Sequence, residues 1–440
     1  MSTNNSTSSL RPTRVLFLAW GYSIHAERRI SCFAEDESFE VCIISTYGYE
    51  IPGAKTINLR ATKKSIFNGN KQSCLKQKRC SFSNFICQST GRYSKILHSI
   101  VKLISEPYWT IRDFQAIRHA VFKFKPDVVF LQTLLYPCYL GLFLNCKIKT
   151  VVTFWNGDVL WWAKYSGIER ILKKQIVKRG AQRAVAISVN SESAKDACLK
   201  YGAEKEKIHI IRYPGVDRTR FRPSSREIAR QNMGISAEKV VLCPRGLGGY
   251  LNSDIIVEAA HTVIKKYPET LFLFISDVGG KTELARHQQM ARELGIENNF
   301  RWDGQIPWTD IPNYYAVSDV MVSISSNDSL PNCMLEAMAC KIPVIMGDIP
   351  QIREWVINDI NGFLVPPRDP LALANALSKV FENENEIIDS FVSKNLERIS
   401  KDADSRVNVK RVKDLVHSVA FTEDFSSHNR AAKTKDVTSK

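Results

Sequence analysis

In the stretch SNDSLPNCMLEAMACKIPVIMG, which starts at Ser326, the only charged residues after Ser329 are Glu336 and Lys341. A carboxylate set alone in so apolar a run is a hydrogen-bond acceptor with few local partners. Its neighbours at helical spacing, Asn332, Cys333, Ala339 and Cys340, form no charged face that would explain it as a solvated position. Pro331 suits the first turn of a helix, where its missing N–H costs nothing. The amides of Asn332, Cys333 and Met334 are then expected to stand free at that N-terminus. With the helix dipole they would favour an anion, phosphate above all. Glu336, one turn further in, could accept from a ribose diol. Asp328, eight residues earlier and in a turn, could accept from sugar hydroxyls, or could simply cap the turn. The spacing orders sugar, phosphate and ribose along one line.

Three other groups fit this chemistry. In LCPRGLGGYLN, Arg245 is a fixed cation, followed by Gly246, Gly248 and Gly249. Those glycines would let the backbone approach a phosphate, or would form a plain flexible turn. AWGYSIHAERR contains His25, and it resembles the acceptor-side loop of the family 4 glycosyltransferases, which implies a contact to an acceptor or a diphosphate, with capping or solvation as the alternative. TVVTFWNGDVL ends in Trp155, Asn156, Gly157 and Asp158, where Asp158 is either a ligand for hydroxyls or a turn cap.

These residues must be positioned by the elements between them. RVLFLAW, FEVCIIST, PDVVFLQ, TVVTFW and RAVAIS read as buried parallel strands in the first half. KVVLCP, LFLFIS, DVMVSIS and PVIMG do so in the second, with helical stretches between. The pattern is α/β, two doubly wound sheets whose ligands sit beyond the carboxyl ends of the strands. The polar, Arg-rich DRTRFRPSSREIARQNMGISAEK marks the boundary between them. The expected organisation is a loose tail over 1–13, domains over 14–222 and 223–400, a last helix over 401–421 and a disordered tail from 422.

The chain has 440 residues and 44% hydrophobic residues, enough for full cores. VLFLAW is too short for a signal segment or a membrane span. The 11 cysteines show no paired C-x2-C spacing, so reduced thiols of a cytosolic protein are expected, with neither disulfides nor a metal site, Cys74, Cys80 and Cys87 included. Residues 1–235 hold 38 Lys and Arg against 17 Asp and Glu, whereas residues 236–440 hold 23 against 28. The basicity therefore belongs to the first half. RYSKILHSIVKLI places Ile96, Ile100, Leu103 and Ile104 at helical spacing beside Arg92, Lys95 and Lys102, which suits either an anionic membrane surface or packing on its own domain. No nucleic-acid-binding module accompanies the charge.

NDSLPNCMLEAMACKIPVIMGDIPQIREWV, followed by NGFLVPPRDP, closely resembles the donor-site signature of the retaining glycosyltransferases of family 4. The family's paired acids, usually Glu-x7-Glu, correspond here to Asp328 and Glu336. PDVVFLQTLLYPCYLGLF, WNGDVLWW, IIRYPGVDRTRFRP and FRWDGQIPWTDIPNYYAVSDVMVSIS extend the resemblance from about Arg14 to Leu377.

The resemblance implies a GT-B fold, two Rossmann-like domains facing across a cleft, the first binding the acceptor and the second the nucleotide sugar. It implies sugar transfer with retained anomeric configuration and no metal or other cofactor, the leaving diphosphate being stabilised by cations and N–H dipoles. The implied catalytic set is Asp328, Arg245 and His25. Glu336, Asn332, Cys333, Met334, Gly246 and Tyr250 are implied on the donor, and Trp155, Asn156 and Asp158 on the acceptor side. Expected partners are a UDP- or GDP-sugar, a lipid-linked or polysaccharide acceptor and an anionic membrane surface, as for a peripheral enzyme of lipopolysaccharide or capsule synthesis. The family has an Arg and a Lys after the first strand of the second domain; Tyr250 stands in the lysine's place. Lys341 stands where the family has Gly, and a non-glycine residue at positive φ there would be strained by ~1 kcal/mol. A catalytically weak relative and a nucleotide-sugar isomerase on the same fold are the alternatives.

Overall fold

A computed structural model describes residues 11–21, 23–59, 109–160, 162, 165, 167–276 and 278–422. The cluster Cys74, Cys80 and Cys87, the stretch 92–104 and the two expected tails, save residues 11–13 and 422, lie outside the described residues.

The strands are β1 (Thr13–Ala19), β2 (Phe39–Ser45), β3 (Ala54–Asn58), β4 (Val128–Leu131), β5 (Thr150–Thr153), β6 (Ala186–Val189) and β7 (Ile208–Ile210), then β8 (Lys239–Cys243), β9 (Thr270–Phe274), β10 (Phe300–Trp302), β11 (Val320–Ser323), β12 (Val344–Gly347) and β13 (Phe363–Val365). They form a seven-stranded sheet in the order β3-β2-β1-β4-β5-β6-β7 and a six-stranded sheet in the order β10-β9-β8-β11-β12-β13. All pairs of the second sheet are parallel. The nine expected strands are present. Four that were not expected, β3, β7, β10 and β13, are the outer strands of the two sheets.

By packing, the described residues form two compact units, those within 1–153, 171–187 and 415–440 in one and those within 154–170 and 188–414 in the other. Unit two contains the whole second sheet. Its strands are apolar on successive residues because both faces are covered. Val241, Cys243, Val320 and Val322 pack in one buried cluster, while Val240, Leu242 and Met321 pack in another. The polar 217–239 stretch carries the helix Arg226–Met233, whose Arg230 joins Arg226 on the buried Asp319 at 2.6 Å each. That acid also accepts the Val240 amide at 2.5 Å, so it pins the entry to β8.

In unit one, helix Ile24–Ala34 follows β1, and its buried Arg29 donates to Gln132 and Thr153 at 2.8 Å each. The last helix, Ser405–Phe421, begins in unit two and ends in unit one.

Candidate functional site

The second sheet reverses its winding between β8 and β11, which pair at Val241 and Val320. In doubly wound sheets the loops leaving such neighbours diverge and open a crevice at their carboxyl ends. Arg245 follows β8 by two residues and Asp328 follows β11 by five, so both candidates emerge at this point. They meet: Arg245 Nη1 lies 2.9 Å from Asp328 Oδ2. Burial alone would lower the Arg245 pKa, but Asp328, then Cys333 and Tyr250, outweigh it and raise it. Asp328 Oδ1 accepts the Ser329 amide at 2.8 Å, which fixes the carboxylate's plane.

The loop beyond Asp328 enters helix Asn332–Ala339 with Pro331 at its cap. The Met334 amide bonds the Pro331 carbonyl at 3.1 Å. This corrects the expectation that three amides stand free: the third is consumed by the tight first turn, and Met334 itself is wholly buried in the core. Asn332 and Cys333 remain as candidate phosphate donors. Burial raises the Cys333 thiol to about 11, a shift that Arg245 partly opposes, so the thiol stays protonated at neutral pH.

Glu336 is 9% exposed. It is held by Tyr315, whose hydroxyl lies 2.9 Å from Glu336 Oε2 and 3.2 Å from the Cys333 carbonyl. Burial, and then Glu336, raise the Tyr315 pKa well above its ordinary value, so the phenol remains a donor. Tyr315 comes from helix Ile311–Ala316, just before β11. Lys341 does adopt φ 63, the left-handed backbone that ends this helix.

The glycine loop is also partly committed. The Leu247 amide donates to the Val278 carbonyl at 2.6 Å and the Gly248 amide, one of the three glycines expected to approach a phosphate, to Ser253 Oγ at 2.6 Å. Gly246 packs against Val278, where a Cβ would come within 2.3 Å of the valine's Cβ, whereas Gly249 has open space. Tyr250 is 39% exposed and its carbonyl accepts the Ser326 amide at 2.8 Å.

Asn156 is buried, and its Nδ2 donates to the Asp328 carbonyl at 2.8 Å. Asn190 Nδ2 reaches Ser329 Oγ at 3.1 Å. These two amides brace the Asp328 turn. Asp158 is buried and accepts the Trp155 amide at 3.2 Å, the cap role of its two alternatives. Trp155 itself is half-buried at the cap of the short helix Asn156–Val159. His25 lies in the first turn of helix Ile24–Ala34, in unit one, and the acid–cation group lies in unit two. Tyr315, Asn190 and Ser253 were missed from sequence because each acts on a residue that is distant in the chain or in an adjoining loop. The paired aromatics of NYYAVSD were the one local hint of Tyr315. Among the described residues no cluster of His, Cys, Asp or Glu could hold a metal. No helix among them is long and apolar enough to cross a membrane.

A family model described as glycosyl transferases group 1 matches residues 225–404, and one described as glycosyltransferase family 4 matches residues 87–220. The chain is 30% identical over 225 residues to a D-inositol 3-phosphate glycosyltransferase of Thermobispora bispora, 50% of this chain and 52% of that protein. It thus spans about half the length of the curated relatives it matches. Among solved structures it is similar to HepE of Anabaena, determined with UDP and glucose, at a TM-score of 0.68 and 18% identity over 92% of this chain and 100% of that one. Sucrose-phosphate synthase of Thermosynechococcus elongatus gives 0.71 and 16% over 92% and 99%. At such identities the likeness is one of fold, and the fold is GT-B.

Proposed function

Because the chain belongs to the group 1, family 4 glycosyltransferases, we propose that it moves a sugar from a nucleotide-sugar donor to a lipid-linked or polysaccharide acceptor with retained anomeric configuration. The observation that carries this reading is the grouping of Asp328, Arg245 and the Tyr315-held Glu336 at the switch point of the second sheet. An anion bound there meets a cation and the amides of a helix N-terminus; a diol further along meets a carboxylate held in one orientation.

In the proposed reaction Arg245 and the amides of Asn332 and Cys333 hold the diphosphate, Asp328 the sugar hydroxyls and Glu336 the ribose. The acceptor oxygen attacks the anomeric carbon on the face from which the nucleoside diphosphate departs. The departing phosphate oxygen takes the acceptor's proton, so charge stabilisation and orientation supply the catalysis. Residues 14–222 would bind the acceptor, through His25 and Trp155 among others, and residues 223–400 the donor. UDP-sugars are the first donors to try, since HepE was solved with UDP and glucose, and GDP-sugars the second. The basic first half suits work at an anionic membrane surface, peripheral on its cytoplasmic side, in lipopolysaccharide or capsule synthesis.

The test is thermal shift and ligand-observed NMR against UDP-, GDP-, ADP- and dTDP-sugars, with wild type and Glu336→Ala. One nucleotide should bind to wild type and lose its affinity in the variant. If well-folded wild type binds none of them, the reading is wrong. A second reading, a weak or inactive relative, is favoured by Tyr250 in the place of a lysine; donor bound without hydrolysis or transfer would select it. Donor turnover with no acceptor present would instead select an isomerase.

A further inference from the structure

Behind the glycine loop lies a buried histidine that the donor-binding reading does not use. His287, in helix Gly280–Glu293, is fully buried. Its Nδ1 lies 2.7 Å from the Glu283 carbonyl oxygen. A carbonyl only accepts, so Nδ1 carries the proton and Nε2 is left as an acceptor. Nε2 lies 2.8 Å from Ser253 Oγ, so the Ser253 hydroxyl donates to it. Ser253 Oγ in turn accepts the Gly248 amide at 2.6 Å. The chain of donors therefore runs from Gly248 through Ser253 to His287, and onward from His287 to the helix backbone. Gly248 has φ 76, and a Cβ on it would come within 2.6 Å of the Glu283 carboxylate. The loop is thus fitted to this helix as well as bonded to it.

The same segment is tied to the other half of the site. Asn252, the residue before Ser253, donates to the Ile324 carbonyl at 2.8 Å and to Ser326 Oγ at 2.7 Å, on the loop that leads to Asp328.

We propose that Ser253 and His287 are positioning residues for donor binding: the relay from Gly248 to His287 sets the Gly246–Gly249 loop, so that Arg245 and the open face at Gly249 meet the donor's diphosphate. The proposal rests on the donor-site reading above. A neutral imidazole suits the relay because it donates at one edge and accepts at the other, bridging a helix carbonyl and a hydroxyl. Protonation would make Nε2 a donor and force the Ser253 hydroxyl to turn, with the Gly248 N–H already pointing at its oxygen. The groups facing the imidazole are Glu283 and Arg286 on its own helix, Asp254 on helix Ser253–Lys266, and the Trp302 ring on β10, 6.4 Å away. Burial is the largest influence and holds its pKa below the ordinary value.

The experiment compares wild type with Ser253→Ala, His287→Leu and His287→Gln, whose Oε1 can still accept from Ser253. Two quantities are read on the full chain at pH 7.5: the Kd for UDP and for GDP by calorimetry, and hydrogen exchange of the peptide spanning residues 245–252. Ser253→Ala and His287→Leu should each weaken nucleotide binding about tenfold, the size expected for losing one oriented hydrogen bond. Both should speed exchange in that peptide, while His287→Gln stays close to wild type in both. A lower melting temperature with unchanged Kd and unchanged loop exchange would make the pair merely structural and overturn the proposal. If His287→Leu does not fold, Ser253→Ala, which removes one hydroxyl, decides. Wild type that binds neither nucleotide counts against the donor reading and overturns the positioning role with it, whereas nucleotide binding that stays at the wild-type level in Ser253→Ala and His287→Leu overturns the positioning role alone.

Discussion

Arg245 Nη1 and Asp328 Oδ2 stand 2.9 Å apart, joining the loops that leave two neighbouring strands of the second sheet. The pair sets the cation and the acid before any ligand arrives, so neither group needs to search for its place when a diphosphate sugar binds. Arg245→Ala should cut kcat for transfer about 100-fold, in the range of roughly 3 kcal/mol seen when one charge-stabilising donor is removed. Arg245→Lys should fall between, because an ammonium restores the charge without the planar fork. A double-mutant cycle of Arg245→Ala with Asp328→Ala should show a coupling of about 0.5 to 3 kcal/mol. Strict additivity in that cycle would mean that the two residues act separately.

Glu336 depends on Tyr315 for its orientation. Tyr315→Phe removes a buried donor to a carboxylate, a loss of about 1.5 to 3 kcal/mol for a hydrogen bond to a charged group. The ribose contact should suffer before the chemistry does. Donor KM is expected to rise with kcat little changed, the pattern of lost uniform binding. Steady-state kinetics with varied donor would show this, and an unchanged KM would separate Glu336 from the ribose.

His287 gives stability a pH dependence whose sign follows from its burial. Its folded pKa lies below the ordinary histidine value, so between the two the unfolded chain binds more protons than the folded one. Its contribution is full above about pH 6.5 and is lost as pH falls towards the lowered folded pKa. Urea melts should therefore show stability dropping as pH falls below about 6.5. His287→Gln should flatten that drop. The paired carboxylates Asp127 and Asp348, whose pKa values lie below the ordinary 3.8, keep their charge throughout this window.

Which parts of this structure could be read from sequence follows from where each residue is buried. Inner strands such as β8 and β11 are covered on both faces, so VVLC of β8 and VMV of β11 are apolar at every step and stand out. Among the outer strands, β7, β10 and β13 are three residues each and β3 has no fully buried residue, so AKTIN, IHI and FRW lack that signal and FLV is too short to carry it. At the site, Asp328, Arg245 and Glu336 were legible because charge in an apolar run or beside glycines is conspicuous. Their supports were not, since Asn190 reaches Ser329 over 139 residues and His287 reaches Ser253 over 34. The Met334 amide is not legible in this way, because a tight first turn recruits it and residue types do not reveal that choice.

Tyr250 replaces the one cation that the family pattern would add. It sits on the short turn Gly249–Leu251, 39% exposed, and close enough to Arg245 to help raise that group's pKa. Tyr250→Lys would exchange this polar ring for a second positive charge. Without ligand the new ammonium would repel Arg245, an effect that Asp328 offsets, so the melting temperature should change little. With a diphosphate bound, both cations would face growing negative charge, and kcat should rise by about tenfold, less than the full value of a preset donor because an exposed lysine is solvated. Transfer rates measured at saturating donor, at low and high salt, would test the expectation, the gain shrinking at high salt. Unchanged rates would show that the tyrosine already does what the site requires, and that the departure from the family pattern is neutral for catalysis.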